Sequence, residues 1–270
     1  MIASYIARRI LLTVPAMIAM SFLVFFIIRL VPGDPALVIL GLRATPETLA
    51  TLREQLHLND PLHVQYGNWI WNALQGDLGE DFRTHEPITD MILTRLPVTL
   101  EMAVLGLLFA ALLGIPLGII AAVRRGPADV ASTSLGLFGI SMPEFWLGVM
   151  LILIFALELG WLPSSGYVPM RESVVDNLKH MILPAVTLGV NFAAVLTRTT
   201  RSAVVDAMNR PFVQTARAKG LRERSIVVGH VLRNSALPIL TVMGMQFGYA
   251  LGGAVIIEQV FGWSGVGWLT

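Results

Sequence analysis

Five long apolar runs constrain the fold of this chain more than any other feature of its sequence. They contain no charged residue except one glutamate in each of two runs, and most are long enough to cross a bilayer core. A core about 30 Å thick requires roughly 20 residues of helix. The runs are 10–28, 98–123, 130–157, 181–197 and 235–257. Lipid cannot satisfy the polar edge of an open strand, and no run alternates with period two, so each run predicts a transmembrane helix.

The composition agrees with a membrane protein. Of the 270 residues, 55% are hydrophobic and only 14% are charged, whereas soluble domains contain about a quarter charged residues. The sequence therefore predicts an all-α, polytopic membrane protein with five transmembrane helices. It has no cysteine, which excludes disulfides and thiolate metal sites. The first run follows Arg8 and Arg9 as a signal peptide would, but it is too long and lacks a small-residue cleavage site, so we interpret it as a retained anchor.

The distribution of basic residues predicts the orientation of these helices. Twelve of the nineteen lysines and arginines lie in alternate loops: the N-terminus, the turn at Arg124 and Arg125, and the segment 198–233. The intervening segments 31–97 and 158–180 are acidic on balance. Since basic loops are retained on the cytoplasmic side, the N-terminus is expected inside the cell. Five spans then place Thr270 outside.

The long segment 32–97, predicted to be extracytoplasmic, contains signals for short helices. Thr45 is a candidate N-cap followed by Pro46, and leucines share one face before a stop near Asn59. Trp69 and Trp71 suggest a second short helix. The segment could be an ordered external cap or a surface for a partner. Alternatively, it could lie among the lipid headgroups with its aromatic residues as anchors.

The segment 202–237 is unusually polar for this chain and has an internal order. A helix-forming stretch, VQTARAKGL, ends at Gly220, and a second one, RERSIVVGHVLRNSA, runs towards Pro238 and the last apolar run. The positive-inside rule or a helix bound to anionic lipid would explain the charge alone. Neither explains a helix, a glycine turn and a helix that enters the membrane. The pattern predicts a compact cytoplasmic elbow.

This elbow resembles the cytoplasmic "EAA" loop of ATP-binding-cassette importer permeases. The resemblance rests on TARAKGL followed by HVLRNSALPIL and is to the dipeptide, oligopeptide, glutathione and nickel branch. In that family the loop is a coupling helix seated in a cleft of a separate ATPase subunit. The glycine of the family corresponds to Gly220, and only the second alanine of Glu-Ala-Ala is kept. The resemblance assigns coupling to Gln214, Thr215, Ala216, Arg217, Ala218, Lys219 and Gly220.

Within this set, Arg217 and Lys219 are the candidates for direct contact with the ATPase. The alternative is that both are solvated charges of a cytoplasmic loop. Gly220 would permit a sharp turn, either through a positive φ or through close approach of the partner surface.

Other stretches extend the resemblance along the chain. They are the opening RRILLTVPAMIAMSFLVFFIIRLVPGDPA, GWLPSSG, HMILPAVTLG and QFGYALGGAVIIEQVFGWSGVG. Ser264 departs from the proline that is usual in the family, and the distance from Gly220 to Pro238 is longer than in sugar importers. The family continues past Gly267 into a sixth span, which is missing from this sequence. The resemblance implies a single permease domain over 1–270 with a type I ABC importer fold.

The resemblance also implies partners and a location. We expect a second homologous permease, two ATP-binding subunits, an extracytoplasmic substrate-binding protein and the lipid of a bacterial inner membrane. The chain lacks GxxxxGK[ST], so ATP and Mg²⁺ would bind to the ATPase subunits, and no enzymatic activity or cofactor is predicted here. The expected cargo is a small peptide such as a dipeptide, an oligopeptide or glutathione.

Three other functions compete with peptide import. A nickel importer permease of the same branch is one. A secondary transporter or channel acting alone would need charged coupling sites near the midplane in matched halves, and Glu144 is the one such charge in the apolar runs. A structural anchor would have no use for the elbow. No basic and aromatic pattern suggests nucleic acid, and the five histidines are too scattered for a metal site.

Two features are candidates for the pathway or for close helix packing. Glu144 is an acid deep in an apolar run and follows Pro143, which is expected to kink the helix and expose backbone carbonyls. The alternative is that the helix begins at this point. The second feature is the series Gly244, Gly248 and Gly252, whose spacing of four favours close helix contact, at a pathway, at a partner or within the subunit.

Two further observations concern the apolar runs. Gly114 and Gly118 show the same spacing, and ordinary packing is the preferred interpretation for them. Glu258 and Arg29 lie near span ends, where we expect their side chains to reach the interface.

Overall fold

The computed structural model describes residues 2–30, 33–41, 44–81, 84–124, 126, 127, 129, 130, 134, 139 and 141–269. Its elements are helical throughout these residues, which confirms the predicted all-α class. The α-helices are α1 Ile2–Leu30, α2 Pro35–Leu40, α3 Pro46–Gln55, α4 Leu62–Leu74, α5 Ile88–Val123, α6 Glu144–Leu151, α7 Val174–Met208, α8 Pro211–Ala218, α9 Glu223–Ile226 and α10 Leu232–Phe261. A π-helical segment, Ile152–Glu158, continues α6. A second, Val227–Val231, joins α9 to α10, and a 3₁₀ turn covers Val266–Leu269.

Four helices in the described part of the chain are long and apolar enough to cross a membrane, rather than the five predicted. They are Ala7–Leu30, Ile88–Val123, Val174–Met208 and Glu223–Gly252. The predicted span over 130–157 is not among them. Part of that run lies outside the described residues, and the rest forms α6 and its π-helical continuation. The apolar run 181–197 is only the middle of α7, because helix-forming polar residues extend the helix at both ends.

The chain divides into two compact units, Met1–Ile92 and Leu93–Thr270. In the first unit, an aromatic cluster joins α1 to α4. Tyr66 contacts Phe22 and Phe25 with ring centroids 5.4 Å apart in both pairs, and its hydroxyl is 2.9 Å from Ser21 Oγ. Trp69 packs beside Phe25 at 6.5 Å. Tyr66 and Trp69 of α4 therefore have aromatic partners on α1 within this unit.

The first unit also contains two short capped helices. Thr45 caps α3 as predicted, and it exchanges hydrogen bonds with Thr48 in a capping box. Asp34 caps α2 by accepting the Ala36 N–H at 3.0 Å. Its other oxygen accepts Arg53 Nε at 2.8 Å, which joins α2 to α3. These hydrogen bonds, that from Arg53 above all, hold the pKa of Asp34 below its ordinary value.

The second unit is built on a close crossing of α5 and α7. A Cβ placed on Gly114 would lie 2.7 Å from the carbonyl oxygen of Ala193, and one on Gly118 would lie 2.6 Å from that of Thr197. These glycines therefore pack within the subunit, as the sequence favoured. A buried apolar cluster surrounds the crossing and reaches the end of α10, with Met102, Leu188, Phe192, Phe261 and Trp263 among its members.

Candidate functional sites

The predicted elbow is a short helix, α8, that ends in a left-handed turn at Gly220. Gly220 has φ +75°, and its N–H donates to the carbonyl of Arg217 at 2.9 Å. No atom of the described residues lies within 4 Å of the position a Cβ would take. Of the two reasons proposed for this glycine, the structure therefore supports the positive φ, which glycine adopts without strain.

One face of α8 is fixed to the body of the second unit. Val213 and Ala216 are buried in a small apolar cluster with Val204, Ile226 and Val231. Ala216 thus points inward, and its side chain contacts this chain rather than a partner. The remaining residues of the predicted coupling set are exposed: Gln214, Thr215, Arg217, Ala218, Lys219 and Gly220. These six lie on the exposed side of α8 and on the turn that follows it.

Arg217 spans the glycine turn to an acid that sequence reasoning did not consider. Its Nε lies 2.6 Å from Glu223 Oε1 and its Nη2 lies 3.3 Å from Oε2. This pairing raises the pKa of Arg217 above its ordinary value. Both side chains are exposed, so solvent screens the pair. The pair joins α8 to α9 across the glycine turn. Lys219, by contrast, has no ion pair in the described part of the chain.

The environment of Glu144 differs from that expected. Pro143 does not kink a helix, because it is the N-cap residue of α6. Its carbonyl accepts the Leu147 N–H at 3.1 Å and is not left for a pathway. A proline at a helix start needs no N–H partner, and an acid in the first turn is favoured by the helix dipole.

Glu144 nevertheless has a polar neighbour across the helix pair. Asn191 Nδ2 of α7 donates to Glu144 Oε1 at 3.3 Å, in a half-buried setting. A carboxylate and an amide therefore face each other between α6 and α7. Their part in a pathway stays a prediction.

The glycine series on α10 lies on an open face. No described atom comes within 4 Å of a Cβ placed on Gly244, Gly248 or Gly252. Met245 and Tyr249 are exposed beside them and border a shallow groove of about 430 Å³. Unlike Gly114 and Gly118, these glycines do not mediate packing among the described residues.

The environment of Glu258 was predicted wrongly. Its side chain does not extend to an interface but is fully buried. Its Oε1 accepts the Thr99 hydroxyl at 2.7 Å, and the same hydroxyl accepts the Val266 N–H at 3.0 Å. The chain after α10 folds over this carboxylate, and a Cβ on Gly265 would overlap it. The closely spaced glycines of GWSGVG were the sequence signal for this tight cap.

These elements define a helical membrane component with a structured elbow between two of its longest helices. The chain belongs to the family described as binding-protein-dependent transport system inner membrane component, which it matches over residues 114–270. Residues 1–103 match the N-terminal part described for the same membrane components. The predicted membership of the peptide, glutathione and nickel branch of ABC importer permeases is confirmed by the relatives. The chain is accordingly a non-catalytic, membrane-embedded transport subunit.

Two relatives illustrate the similarity. The glutathione transport system permease protein GsiC of Escherichia coli strain K12 is 41% identical over 265 residues, which cover 98% of this chain and 84% of that protein. A protein of Brucella melitensis biotype 1, named as a peptide transport system permease, is 39% identical over 268 residues, 99% of this chain and 85% of that protein.

Solved structures agree on the fold. The inward-facing MetNI methionine ABC transporter aligns with a TM-score of 0.54 at 18% identity, over 68% of this chain and 80% of that one. An amino acid ABC transporter crystallised with histidines aligns with a TM-score of 0.51 at 16% identity, over 67% and 77%.

Proposed function

We propose that this chain is the transmembrane permease subunit of an ATP-driven importer for small peptides, glutathione included. The observation that carries this proposal is the 41% identity to glutathione permeases along 98% of the chain. The named peptide permease at 39% identity supports the wider peptide class. The basic loops favour a cytoplasmic N-terminus in a bacterial inner membrane.

The elbow 202–237 is proposed to couple transport to ATP hydrolysis on a separate subunit. In support, six exposed residues of the predicted coupling set lie on α8 and the turn after it, and α8 is seated through Val213 and Ala216 on the membrane body. The turn at Gly220 leads through α9 and a π-helical segment directly into α10. A force applied to α8 would therefore reach a membrane helix without passing through a flexible linker.

The further partners follow from the same role. They are two ATP-binding subunits that hold ATP and Mg²⁺, a second homologous permease and an extracytoplasmic binding protein at the segment 32–97. The open face of α10 around Gly244, Gly248 and Gly252 suits the second permease, since small residues let helix backbones approach closely in lipid. Glu144 and Asn191 are proposed to line the shared pathway as polar groups.

Uptake by the assembled complex tests the proposal. The chain, its partner permease, the ATPase and the binding protein are reconstituted in proteoliposomes and offered labelled glutathione, dipeptides, tripeptides and Ni²⁺. We expect ATP-dependent uptake of one or more peptides. Uptake of Ni²⁺ alone would assign the chain to nickel import, and uptake without the ATPase would identify a secondary transporter.

A substitution at Gly220 tests the coupling role in the same assay. Gly220→Val forces a β-branched residue into a left-handed conformation, a strain of about 1–3 kcal/mol. We expect assembly to persist and ATP hydrolysis to continue while uptake falls at least about tenfold. Gly229→Val is the control, because Gly229 also has open space around it but has no positive φ. Normal uptake in the Gly220 variant would remove the coupling assignment.

A further inference from the structure

A second recess in the Leu93–Thr270 unit has no place in the functions described so far. It is a cleft of about 690 Å³ between residues 94–105 of α5 and residues 167–171 of the loop before α7. Its volume falls within the roughly 300–1,000 Å³ of small-molecule sites. Most of its surface is apolar and comes from residues such as Val98, Leu105 and Met170. Four polar side chains also line it: Thr94, Glu101, Tyr167 and Arg171.

Glu101 is only half satisfied in this cleft. Its Oε2 accepts the Tyr167 hydroxyl at 2.8 Å. Its Oε1 is shielded from water and has no hydrogen-bond partner among the described residues. A buried carboxylate oxygen without a donor is unfavourable by about 1–3 kcal/mol or more, so a cationic donor that reached Oε1 would be stabilised there.

Tyr167 is well placed to cover this carboxylate when no ligand is bound. Its ring packs edge-on against the buried Trp263, with centroids 5.8 Å apart. Burial, and then the hydrogen bond and charge of Glu101, raise the pKa of Tyr167 to about 12, against an opposing effect of Arg171. The phenol therefore stays protonated at neutral pH and remains a donor.

Arg171 supplies the opposite charge at the same cleft. It is exposed and forms no ion pair within the described residues. A guanidinium of this kind can bind a carboxylate through two parallel hydrogen bonds. A half-satisfied acid and a base without an ion pair among the described residues, on a mostly apolar surface, are complementary to a ligand that carries both an ammonium group and a carboxylate.

We propose that this cleft is an outer subsite for zwitterionic peptides, with Glu101 binding the ammonium group and Arg171 the carboxylate. The inference rests on the proposed peptide import and adds a recognition site in the permease itself. Both lining segments fall on the extracytoplasmic side in the orientation predicted from loop charge, where cargo would arrive. Arg171 would repel a divalent metal ion, which disfavours such an ion as the occupant.

Equilibrium binding to the assembled membrane complex, without the binding protein, tests the subsite. The probes are a labelled dipeptide, its N-acetyl form and its C-terminal amide. Glu101→Gln keeps the shape of the side chain and its acceptor for Tyr167. Arg171→Gln changes an exposed residue that has no ion pair within the described residues. Glu172→Gln is the matched control, since it removes an exposed charge beside Arg171 but does not line the cleft.

We expect Glu101→Gln and Arg171→Gln each to weaken binding of the free dipeptide about tenfold, as for loss of one charge-assisted hydrogen bond. Glu101→Gln should leave binding of the N-acetyl form unchanged, and Arg171→Gln should leave binding of the amide unchanged. Equal binding by all variants would overturn the subsite.

Wild-type uptake, measured in parallel, separates failure of the subsite proposal from failure of the proposed function. Uptake of peptides with unaffected variants overturns only the subsite. Absence of peptide uptake by the wild-type complex overturns both.

Discussion

The hydroxyl of Thr99 donates a hydrogen bond of 2.7 Å to the carboxylate of Glu258, 159 residues further along the chain. This contact joins α5 to the end of α10 in the interior of the second unit. Glu258 is fully buried, and its second oxygen, Oε2, has no hydrogen-bond partner among the described residues. The Thr99 hydroxyl is thus the side-chain donor on which the buried carboxylate depends.

Replacing Thr99 by valine should destabilise the protein with little change of shape. We expect a loss of about 1.5–3 kcal/mol, the range for a hydrogen bond to a charged group. Thermal unfolding of the detergent-solubilised complex measures it. Thr241→Val is the control, because its hydroxyl bonds only to Leu237 of its own helix, at 2.8 Å and in an exposed position. An unchanged melting temperature for Thr99→Val would show that the network is not stabilising.

Charge reversal at Arg217 and Glu223 tests whether Arg217 serves the internal ion pair or a contact with the ATPase. Arg217→Glu and Glu223→Arg should each reduce peptide uptake by a few-fold, because each places like charges across the turn. The double exchange restores opposite charges, so we expect it to recover most of the uptake. Loss of uptake that persists in the double variant would indicate that Arg217 binds the partner instead.

The open face of α10 predicts a steric effect on assembly. Gly248→Leu would place a large side chain at the bottom of the groove, and we expect the second permease to co-purify several-fold less. Met245→Leu, on the rim of the same groove, keeps volume and polarity and should assemble normally. Equal recovery of the partner with both variants would place the permease contact elsewhere.

Acid should release the contact between α2 and α3 only at low pH. The pKa of Asp34 is lowered in the folded protein, chiefly by Arg53, from an ordinary value of 3.8. A carboxyl with a lowered pKa stabilises the fold above its unfolded value, and this contribution disappears as the pH falls through the folded value. The contact should therefore be intact from pH 7 to pH values just above 3.8 and weaken only below.

Hydrogen exchange of the α3 amides as a function of pH checks this. Asp34→Asn keeps the helix cap but removes the charge, so its α3 amides should exchange faster than those of wild type even at neutral pH. Glu54→Gln, an exposed change on the same helix, should match wild type. Weaker protection of the wild-type α3 amides at pH 6 than at pH 7 would contradict the assignment.

Local patterns in the sequence predicted local structure well. The cap at Thr45, the glycine turn at Gly220 and the helical runs are determined by neighbouring residues, so they could be read from the sequence. The span predicted over 130–157 failed because an apolar run does not reveal where a helix starts, and Pro143 is the N-cap of α6 rather than a kink within it.

The contacts at the sites that the sequence did not predict have a common physical cause. The burial of Glu258 depends on Thr99 and on a tight loop that follows it, and the carboxylate of Glu101 depends on Tyr167, 66 residues away. Such pairs form only when distant segments fold together. Loop charge and apolar length contain no information about such pairs. The position of Glu258 near a span end was therefore wrongly taken to mean that its side chain is exposed.

α7 is one continuous helix that runs from near the cleft to the elbow. It runs from Val174, three residues after Arg171, to Met208, three residues before α8, and it passes through Pro184 without interruption. Its 35 residues make a rod, and at 1.5 Å per residue such a rod is roughly 52 Å long. If α7 pivots at its inner end, a tilt of roughly 10° moves its outer end by roughly 9 Å. The elbow and the cleft then lie near opposite ends of one helix that moves as a unit.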